Sequence, residues 1–251
     1  MNQPARSPHV VVIGGYLTEP VNYRNLRRRL LDQGAARVSQ APVHLPDWAL
    51  VGLVGMGPLL LRGARAIREA RRAAPDPVIV IGHSMGGLVA RLAMAPEPFD
   101  GRAAQVAGDV GCLVTLGTPH RFEPTIPWRH PGMVAAGFLE RVSPGAWYAP
   151  RTGYLTVGST LTRPARRAPI RSVVQLSNRV LLGFVGDVEG GRGDGLVGDA
   201  LSQLDGARHL SYPDVRHGTL GAPWYGDEAI VDRWWPVALE EWRRALEARA
   251  A

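Results

Sequence analysis

Residues 77–88 read PVIVIGHSMGGL, and this stretch decides the fold. Its first five residues are an apolar run typical of a buried strand, and residues 88–95 continue as a helix. Between them lies a G-x-S-x-G pattern, in which a sharp turn holds Ser84 in a strained conformation above a sheet, beside a helix N-terminus. The small residues Gly82 and Gly86 let neighbouring backbone pass close by. The segment therefore predicts an exposed serine nucleophile.

Outward from this turn, apolar strand patterns alternate with helical patterns along the chain. Strands are expected at 9–13, 37–45, 77–81, 109–116, 171–177 and 208–212, and helices at 23–31, 59–74, 88–95 and 227–248. This alternation predicts an α/β fold with a mainly parallel sheet and helices on both faces.

One long segment breaks the alternation. Residues 121–168 hold many prolines and aromatic residues with little regular period, and they are too long for an ordinary connection. We expect a single domain over residues 1–251, in which 121–168 form a cap insertion over the carboxyl edge of the sheet. The cap aromatics either line an apolar acyl site or simply pack the cap, and the sequence favours neither. They are Trp128, Phe138, Trp147, Tyr148 and Tyr154.

Composition excludes several classes of protein. The chain of 251 residues has a formal net charge of +7, and all 29 basic residues are arginines scattered along it. With no interleaved aromatics and no nucleic-acid motif, nucleic-acid binding is not expected. The sequence has no run of 18 apolar residues, so no membrane span is predicted. The N-terminus shows no secretory signal, and we therefore expect a cytoplasmic location. The single cysteine, Cys112, lies within a strand pattern and is expected to be a buried apolar residue.

A serine hydroxyl needs a base, and the base needs an orienting acid. His217 is the preferred base, because it lies in a Gly-flanked loop after the last predicted strand. Asp194 is the preferred acid, which gives the chain order Ser84, Asp194, His217. Asp187 in the same loop remains an alternative acid, and His83 remains a weaker alternative base.

The developing oxyanion needs preorganised donors. We expect them to be the backbone N–H groups of Met85, after the nucleophile, and of Tyr16, in the loop after the first strand. The predicted substrate-binding residues are Gly15, His83, His120, Trp128 and Phe138. We expect no metal and no organic cofactor.

Five motifs together resemble the α/β-hydrolase lipases and esterases, in particular the lipase group that includes the PGAP1-like proteins. They are Val12–Tyr16, Gly82–Gly87, Thr115–His120, Gly193–Val197 and His217–Gly218. The resemblance implies that Ser84 is the nucleophile, Asp194 the acid and His217 the base. The chain departs from the group in two places, with Gly14 where the group usually has histidine and Phe122 where it often has glycine.

These observations predict a serine carboxylic-ester hydrolase of the lipase or esterase kind that works through an acyl-enzyme. Its expected partner is a small ester with an apolar acyl group, and transient contact with lipid interfaces and the oligomeric state are left open. An acyltransferase or thioesterase with the same triad is the alternative within enzymes. A catalytically silent binding module of the same fold is the alternative outside them.

Overall fold

The computed structural model describes residues 6–122, 130–161, 192–218 and 223–251. Within them, six parallel strands form one sheet in the order β2-β1-β3-β4-β5-β6. The strands are β1 His9–Ile13, β2 Arg37–Gln40, β3 Val78–His83, β4 Val110–Leu116, β5 Gly153–Ser159 and β6 Arg208–Tyr212. Strands β3, β4 and β5 are buried on both faces, which explains why β3 and β4 read as continuous apolar runs.

Helices cover both faces of this sheet. The α-helices are α1 Arg24–Asp32, α2 Leu45–Val54, α3 Gly57–Arg72, α4 Met85–Met94, α5 Pro131–Val142, α6 Asp199–Ser202 and α7 Glu228–Ala250. One apolar core lies between the sheet and helices α2 to α5, and a second lies between the sheet and helices α1 and α7. The predicted α/β class with helices on both faces is therefore confirmed.

The C-terminal helix α7 anchors the second face through its tryptophans. Trp234, Trp235 and Trp242 are fully buried. The indole N–H of Trp242 donates a 2.7 Å hydrogen bond to the carbonyl of Pro77, directly before β3. Burying each ring stabilises the fold by roughly 2–3 kcal/mol. Helix α7 therefore stabilises the start of the central strand β3.

The carboxyl ends of the parallel strands lie at one edge of the sheet, and the nucleophile turn lies there. Ser84, between β3 and α4, has φ +53° and ψ −130°, a backbone conformation that non-glycine residues rarely adopt. A Cβ atom at position 86 would collide with the carbonyl oxygens of Ile13 and Gly14. Glycine at 86 therefore allows α4 to start against the end of β1.

The predicted cap over residues 121–168 is wrong in its central part. Residues 131–142 form α5, which runs beside α4, and residues 153–159 form β5, which pairs with β4 and β6 inside the sheet. The strand was missed because two glycines, a threonine and a serine interrupt its apolar pattern, although it is fully buried. Residues 123–129 and 162–168 of the predicted cap, and the strand expected at 171–177, lie outside the described residues.

Two further differences concern the N-terminal half. The strand expected at 37–45 ends at Gln40, just before Pro42, because proline has no N–H to donate to a neighbouring strand. The Gly-rich stretch that follows contains helix α2, which the sequence did not predict. In the part of the chain that the structure describes, no helix is long and apolar enough to cross a membrane.

Candidate active site

The turn that carries Ser84 is fixed from two sides. The Ser84 N–H donates a 2.9 Å hydrogen bond to the carbonyl of Leu116, at the end of β4. The Thr118 hydroxyl donates a 2.8 Å hydrogen bond to the Ser84 carbonyl. Ser84 is 7% exposed. The strained backbone conformation is therefore held by the strand next to it, and the hydroxyl stays within reach of solvent at the sheet edge.

The structure brings the three predicted catalytic side chains together. The Nε2 atom of His217 lies 2.9 Å from the Ser84 hydroxyl oxygen. The Nδ1 atom of the same ring lies 2.7 Å from Oδ2 of Asp194. Because Oδ2 of a carboxylate only accepts, Nδ1 carries a proton and Nε2 of the neutral ring is free to accept one from the serine. This arrangement has the geometry of a nucleophile, a base and an orienting acid.

Asp194 is buried but remains a carboxylate. Burial alone would raise its pKa, but the opposing interactions dominate and the pKa of Asp194 is lowered. These are the attraction of His217, the hydrogen bond from its ring, and two backbone N–H groups, those of Leu196 and Val197, which donate to Oδ1 at 2.9 and 2.7 Å. In the tight turn at 194–197, backbone N–H groups therefore occupy Oδ1 of Asp194, and Oδ2 is directed at His217.

A fourth residue, which the sequence reasoning missed, contacts the acid. The Tyr225 hydroxyl donates a 2.8 Å hydrogen bond to Oδ2 of Asp194, the oxygen that also faces His217. Burial and the neighbouring carboxylate raise the pKa of Tyr225 well above its ordinary value, so the hydroxyl keeps its proton. Tyr225 belongs to no recognisable motif, so the linear sequence carries no signal for this contact.

The loop after β1 approaches the nucleophile closely. A Cβ atom at position 15 would lie 2.7 Å from the Cβ of Ser84. The N–H of Gly15 donates a 2.8 Å hydrogen bond to the Tyr23 hydroxyl, so the next donor along this loop is the N–H of Tyr16. Met85 is the first residue of α4, where N–H groups have no partner within the helix. The structure is therefore compatible with the predicted donor pair of Tyr16 and Met85.

His83 is adjacent to the nucleophile, yet its side chain is engaged elsewhere. Its Nδ1 atom lies 2.8 Å from the Tyr23 hydroxyl and its Nε2 atom lies 2.9 Å from the carbonyl oxygen of His217. Burial, reinforced by His217, lowers the pKa of His83 to about 3. This ring cannot be the base for Ser84 in this arrangement, because both ring nitrogens face protein groups. Contact between His83 and a substrate stays a prediction.

The ring nitrogens of His120 also face protein groups, and its contact with a substrate stays a prediction. It is buried with Nε2 3.0 Å from the Thr115 hydroxyl and Nδ1 3.4 Å from the guanidinium of Arg91. Burial and the arginine lower the pKa of His120 well below its ordinary value. The neutral ring therefore belongs to an inward-facing network that includes Arg91 of α4.

Phe138 does not line the site either. It packs edge-on against Phe99 with ring centroids 5.0 Å apart. It lies six residues along α5 from Gly132, which contacts Met85 at the nucleophile turn, and six helical residues span about 9 Å. Tyr148 and Tyr154 likewise pack against the core on this face. Trp128 and the alternative acid Asp187 lie outside the described residues.

Other apolar side chains pack against the nucleophile turn and the loop after β1. Position 132 faces the Phe122 ring and the Met85 thioether. The Tyr16 ring packs edge-on against Trp48 of α2, with centroids 5.7 Å apart. Beyond Trp48, helix α2 presents Leu50, Leu53 and Val54 to solvent, with Leu53 84% exposed. Apolar and aromatic side chains therefore pack against both segments that carry the predicted oxyanion donors, Tyr16 and Met85.

Comparisons with known proteins bear on the family and the fold of the chain. Residues 59–130 match the family model for the PGAP1-like alpha/beta domain, which bears out the resemblance that the motifs carry. This segment contains the nucleophile turn, α4 and β4. A search of curated proteins found no match.

Solved structures extend the comparison to nearly the whole chain. The mature form of lipase BlEst2 from Bacillus licheniformis matches with a TM-score of 0.66 at 16% identity, covering 94% of this chain and 93% of that one. A structure reported for LipS and LipT, two metagenome-derived lipolytic enzymes, matches with a TM-score of 0.52 at 15% identity, covering 94% and 95%. The monoacylglycerol lipase of Paleococcus ferrophilus matches with a TM-score of 0.51 at 12% identity, covering 94% and 96%. The chain therefore has the α/β-hydrolase fold.

Proposed function

We propose that this chain is a serine carboxylic-ester hydrolase that works through an acyl-enzyme. The observation that supports this best is the continuous contact from the Ser84 hydroxyl through the His217 ring to Asp194, at 2.9 and 2.7 Å, on a strained turn at the sheet edge. A fold alone supports many functions, whereas this set of side chains supports one class of chemistry.

In the first half-reaction the Ser84 oxygen attacks the ester carbonyl carbon while His217 Nε2 takes the hydroxyl proton. The carbonyl oxygen becomes an oxyanion, which the N–H groups of Tyr16 and Met85 stabilise. Asp194 holds the ring and stabilises its charged form. The C–O bond of the ester then breaks, and His217 returns the proton to the leaving alcohol.

In the second half-reaction water takes the place of the alcohol. His217 removes a proton from water as the oxygen attacks the acyl carbon, and it returns this proton to the Ser84 oxygen as the acid leaves. Both halves use the same donors and the same base. The chemistry requires no metal and no organic cofactor.

The apolar side chains near the predicted oxyanion donors support a substrate with an apolar acyl group. Tyr16 packs against Trp48, and Met85 and Phe122 both lie against Gly132 of α5. The deciding experiment is hydrolysis of p-nitrophenyl esters from acetate to palmitate by the wild-type chain and by Ser84→Ala. We expect activity that depends on Ser84 and rises with acyl length beyond acetate. Turnover of acyl thioesters alone, or acyl transfer to an added alcohol in preference to water, would instead favour the alternative enzyme classes.

The exposed side chains of α2 support contact with a lipid surface. Leu50, Leu53 and Val54 are exposed on α2, the helix whose Trp48 packs against Tyr16, and the chain carries a net charge of +7. We expect co-sedimentation with vesicles of phosphatidylcholine and phosphatidylglycerol that Leu53→Asp weakens. Leu31→Asp, at an exposed leucine of α1 on the other face of the sheet, is the matched control and should bind as the wild type does. Equal loss in both variants would contradict a specific α2 contact.

The cytoplasmic location expected from the sequence stays a prediction, which fractionation of cells that make the protein would test.

A further inference from the structure

His83 connects two loops that reach the nucleophile from different parts of the chain. One is the loop after β1, with Gly15 and Tyr16, and the other is the loop after β6, with His217. The link runs from the Gly15 N–H to the Tyr23 hydroxyl at 2.8 Å, from this hydroxyl to His83 Nδ1 at 2.8 Å, and from His83 Nε2 to the His217 carbonyl at 2.9 Å.

The direction of each hydrogen bond in this link follows from the donors and acceptors. The His217 carbonyl can only accept, so His83 Nε2 carries a proton. Because burial keeps the His83 ring neutral, its Nδ1 is an acceptor and the Tyr23 hydroxyl donates to it. The Tyr23 oxygen in turn accepts the Gly15 N–H. Burial also raises the pKa of Tyr23 to about 12, so its hydroxyl stays protonated.

The link is enclosed by aromatic side chains. Trp224 packs edge-on against both Tyr23 and His83, with centroid separations of 5.9 and 5.6 Å. Tyr23 and His83 are both nearly or fully buried. Water is therefore kept from competing for these hydrogen bonds, which strengthens each of them.

We propose that Tyr23 and His83 form a positioning link that fixes the oxyanion loop relative to the base loop. The inference rests on the proposed ester hydrolysis, in which Tyr16 and His217 act on the same reacting carbonyl from these two loops. In the sheet order of the described residues, the loop after β6 begins three strands away from β3 and must reach Ser84 at the end of β3. A small displacement of either loop separates the base from the oxyanion donors and slows the reaction without changing apolar contacts with substrate.

Two substitutions of His83 each remove a different hydrogen bond of the link. His83→Asn keeps an acceptor near Nδ1 for Tyr23 and removes the donor to His217. His83→Gln keeps a donor near Nε2 for His217 and removes the acceptor for Tyr23. Tyr23→Phe removes the hydroxyl between them. We expect each single variant to lower kcat by about 10- to 100-fold with KM changed less than about 3-fold, because misplacement of catalytic groups costs up to about 100-fold in rate.

A double-mutant cycle tests whether the two residues act as one unit. We expect Tyr23→Phe with His83→Asn to be no slower than the slower of the two single variants, because either break already releases the loops. A loss of kcat in the double variant equal to the product of the two single losses would contradict the positioning link. A loss of kcat fully explained by the fraction of unfolded protein, measured by thermal unfolding, would contradict it as well. Tyr148→Phe is the matched control, because its hydroxyl donates to the Met94 carbonyl at the far end of α4; its kcat should equal that of the wild type.

The rate at which a fluorophosphonate labels Ser84 provides a second measurement that needs no ester turnover. The variants should slow labelling by factors similar to those seen in kcat. A wild-type chain that is labelled but turns over no ester would contradict the proposed function, while the labelling rates of the variants would still test the link. Labelling at the wild-type rate in all three single variants would overturn the link itself.

Discussion

Two buried histidine networks flank helix α4, and they differ in what the histidine faces. In the first, which we call the triad network, His217 lies between Ser84 and Asp194. In the second, which we call the Arg91 network, His120 lies between Thr115 and Arg91. A carboxylate next to an imidazole favours its charged form, whereas a guanidinium disfavours it. The partner of each ring therefore decides which histidine is suited to take up a proton.

The Arg91 network has a structural role that fits this difference. Arg91 donates a 2.8 Å hydrogen bond to the Ser143 carbonyl at the end of α5. The backbone N–H of His120 donates a hydrogen bond to the Leu201 carbonyl of α6. Burial lowers the pKa of Arg91 to about 10, so the guanidinium still carries its charge near neutral pH. The network ties α4 to α5 and α6 without reaching the nucleophile.

The largest difference between the networks should appear when one residue of each network is changed. Asp194→Asn should lower kcat by about 10⁴-fold, because the neutral amide no longer holds the reactive ring form or stabilises its charge. His120→Gln should leave kcat within about 3-fold of the wild type. Steady-state hydrolysis of a p-nitrophenyl ester measures both, and comparable losses in the two variants would remove the distinction between the networks.

A second large effect is expected where the backbone approaches the nucleophile. In Gly15→Ala the new Cβ would lie 2.7 Å from the Cβ of Ser84, so the loop or the serine must shift. We expect kcat to fall by about 100-fold. Gly137→Ala on α5 is the matched control, since a Cβ there meets nothing within 4 Å, and it should raise stability by about 0.5–1 kcal/mol. Full activity in Gly15→Ala would contradict the described loop position.

A smaller effect is expected at the fourth residue of the triad network. Tyr225→Phe removes one hydrogen bond to Asp194 and leaves the ring packing in place. Hydrogen bonds to charged groups contribute about 1.5–3 kcal/mol, so kcat/KM should fall by roughly 10- to 100-fold when the acid is less well held. An unchanged kcat/KM in a folded Tyr225→Phe variant would show that the amide donors of Leu196 and Val197 orient Asp194 unaided.

The last predicted effect is on stability rather than on rate, and it depends on pH. His83 and His120 both have folded-state pKa values below the unfolded value of about 6.5. As the pH falls below 6.5 the unfolded chain takes up protons that the folded chain does not, so stability falls. The loss is about 1.4 kcal/mol per pH unit for each such histidine.

Urea unfolding between pH 7 and pH 4.5 measures this slope. The wild type should lose stability steadily over this range, and His120→Gln should show a slope lower by one histidine's contribution, whatever its stability at pH 7. An identical slope in the variant would mean that the ring is protonated in the folded chain, which would remove the main contrast between the two networks.

The sequence predicted the parts of the site that are local in the chain. The apolar run before Ser84, the glycines around it and the Asp194 turn each define a backbone shape within a few residues, and the structure has these shapes. Strand β5 was missed because burial on both faces removes the alternation that marks a strand, and its small residues resemble loop residues.

The sequence could not predict the direction in which buried polar side chains point. His120 and His217 both follow strands and both lie beside glycines or prolines, yet one faces Arg91 and the other faces Ser84. The contacts of Tyr23 and Tyr225 join residues that are far apart in the chain, so no local pattern marks them. These roles depend on packing, which becomes known only when the sheet is assembled.

The most direct test of the account is whether Ser84 forms an acyl-enzyme. The wild-type chain is mixed with excess p-nitrophenyl butyrate, quenched in acid within the first turnovers and analysed by mass spectrometry of the intact chain and its peptides. We predict a mass increase equal to one butyryl group on the peptide that contains Ser84, and no such increase in Ser84→Ala. In Asp194→Asn, the acylated fraction divided by the rate of turnover should be higher than in the wild type. Ester hydrolysis without acylation of this peptide, or with acylation elsewhere, would contradict it.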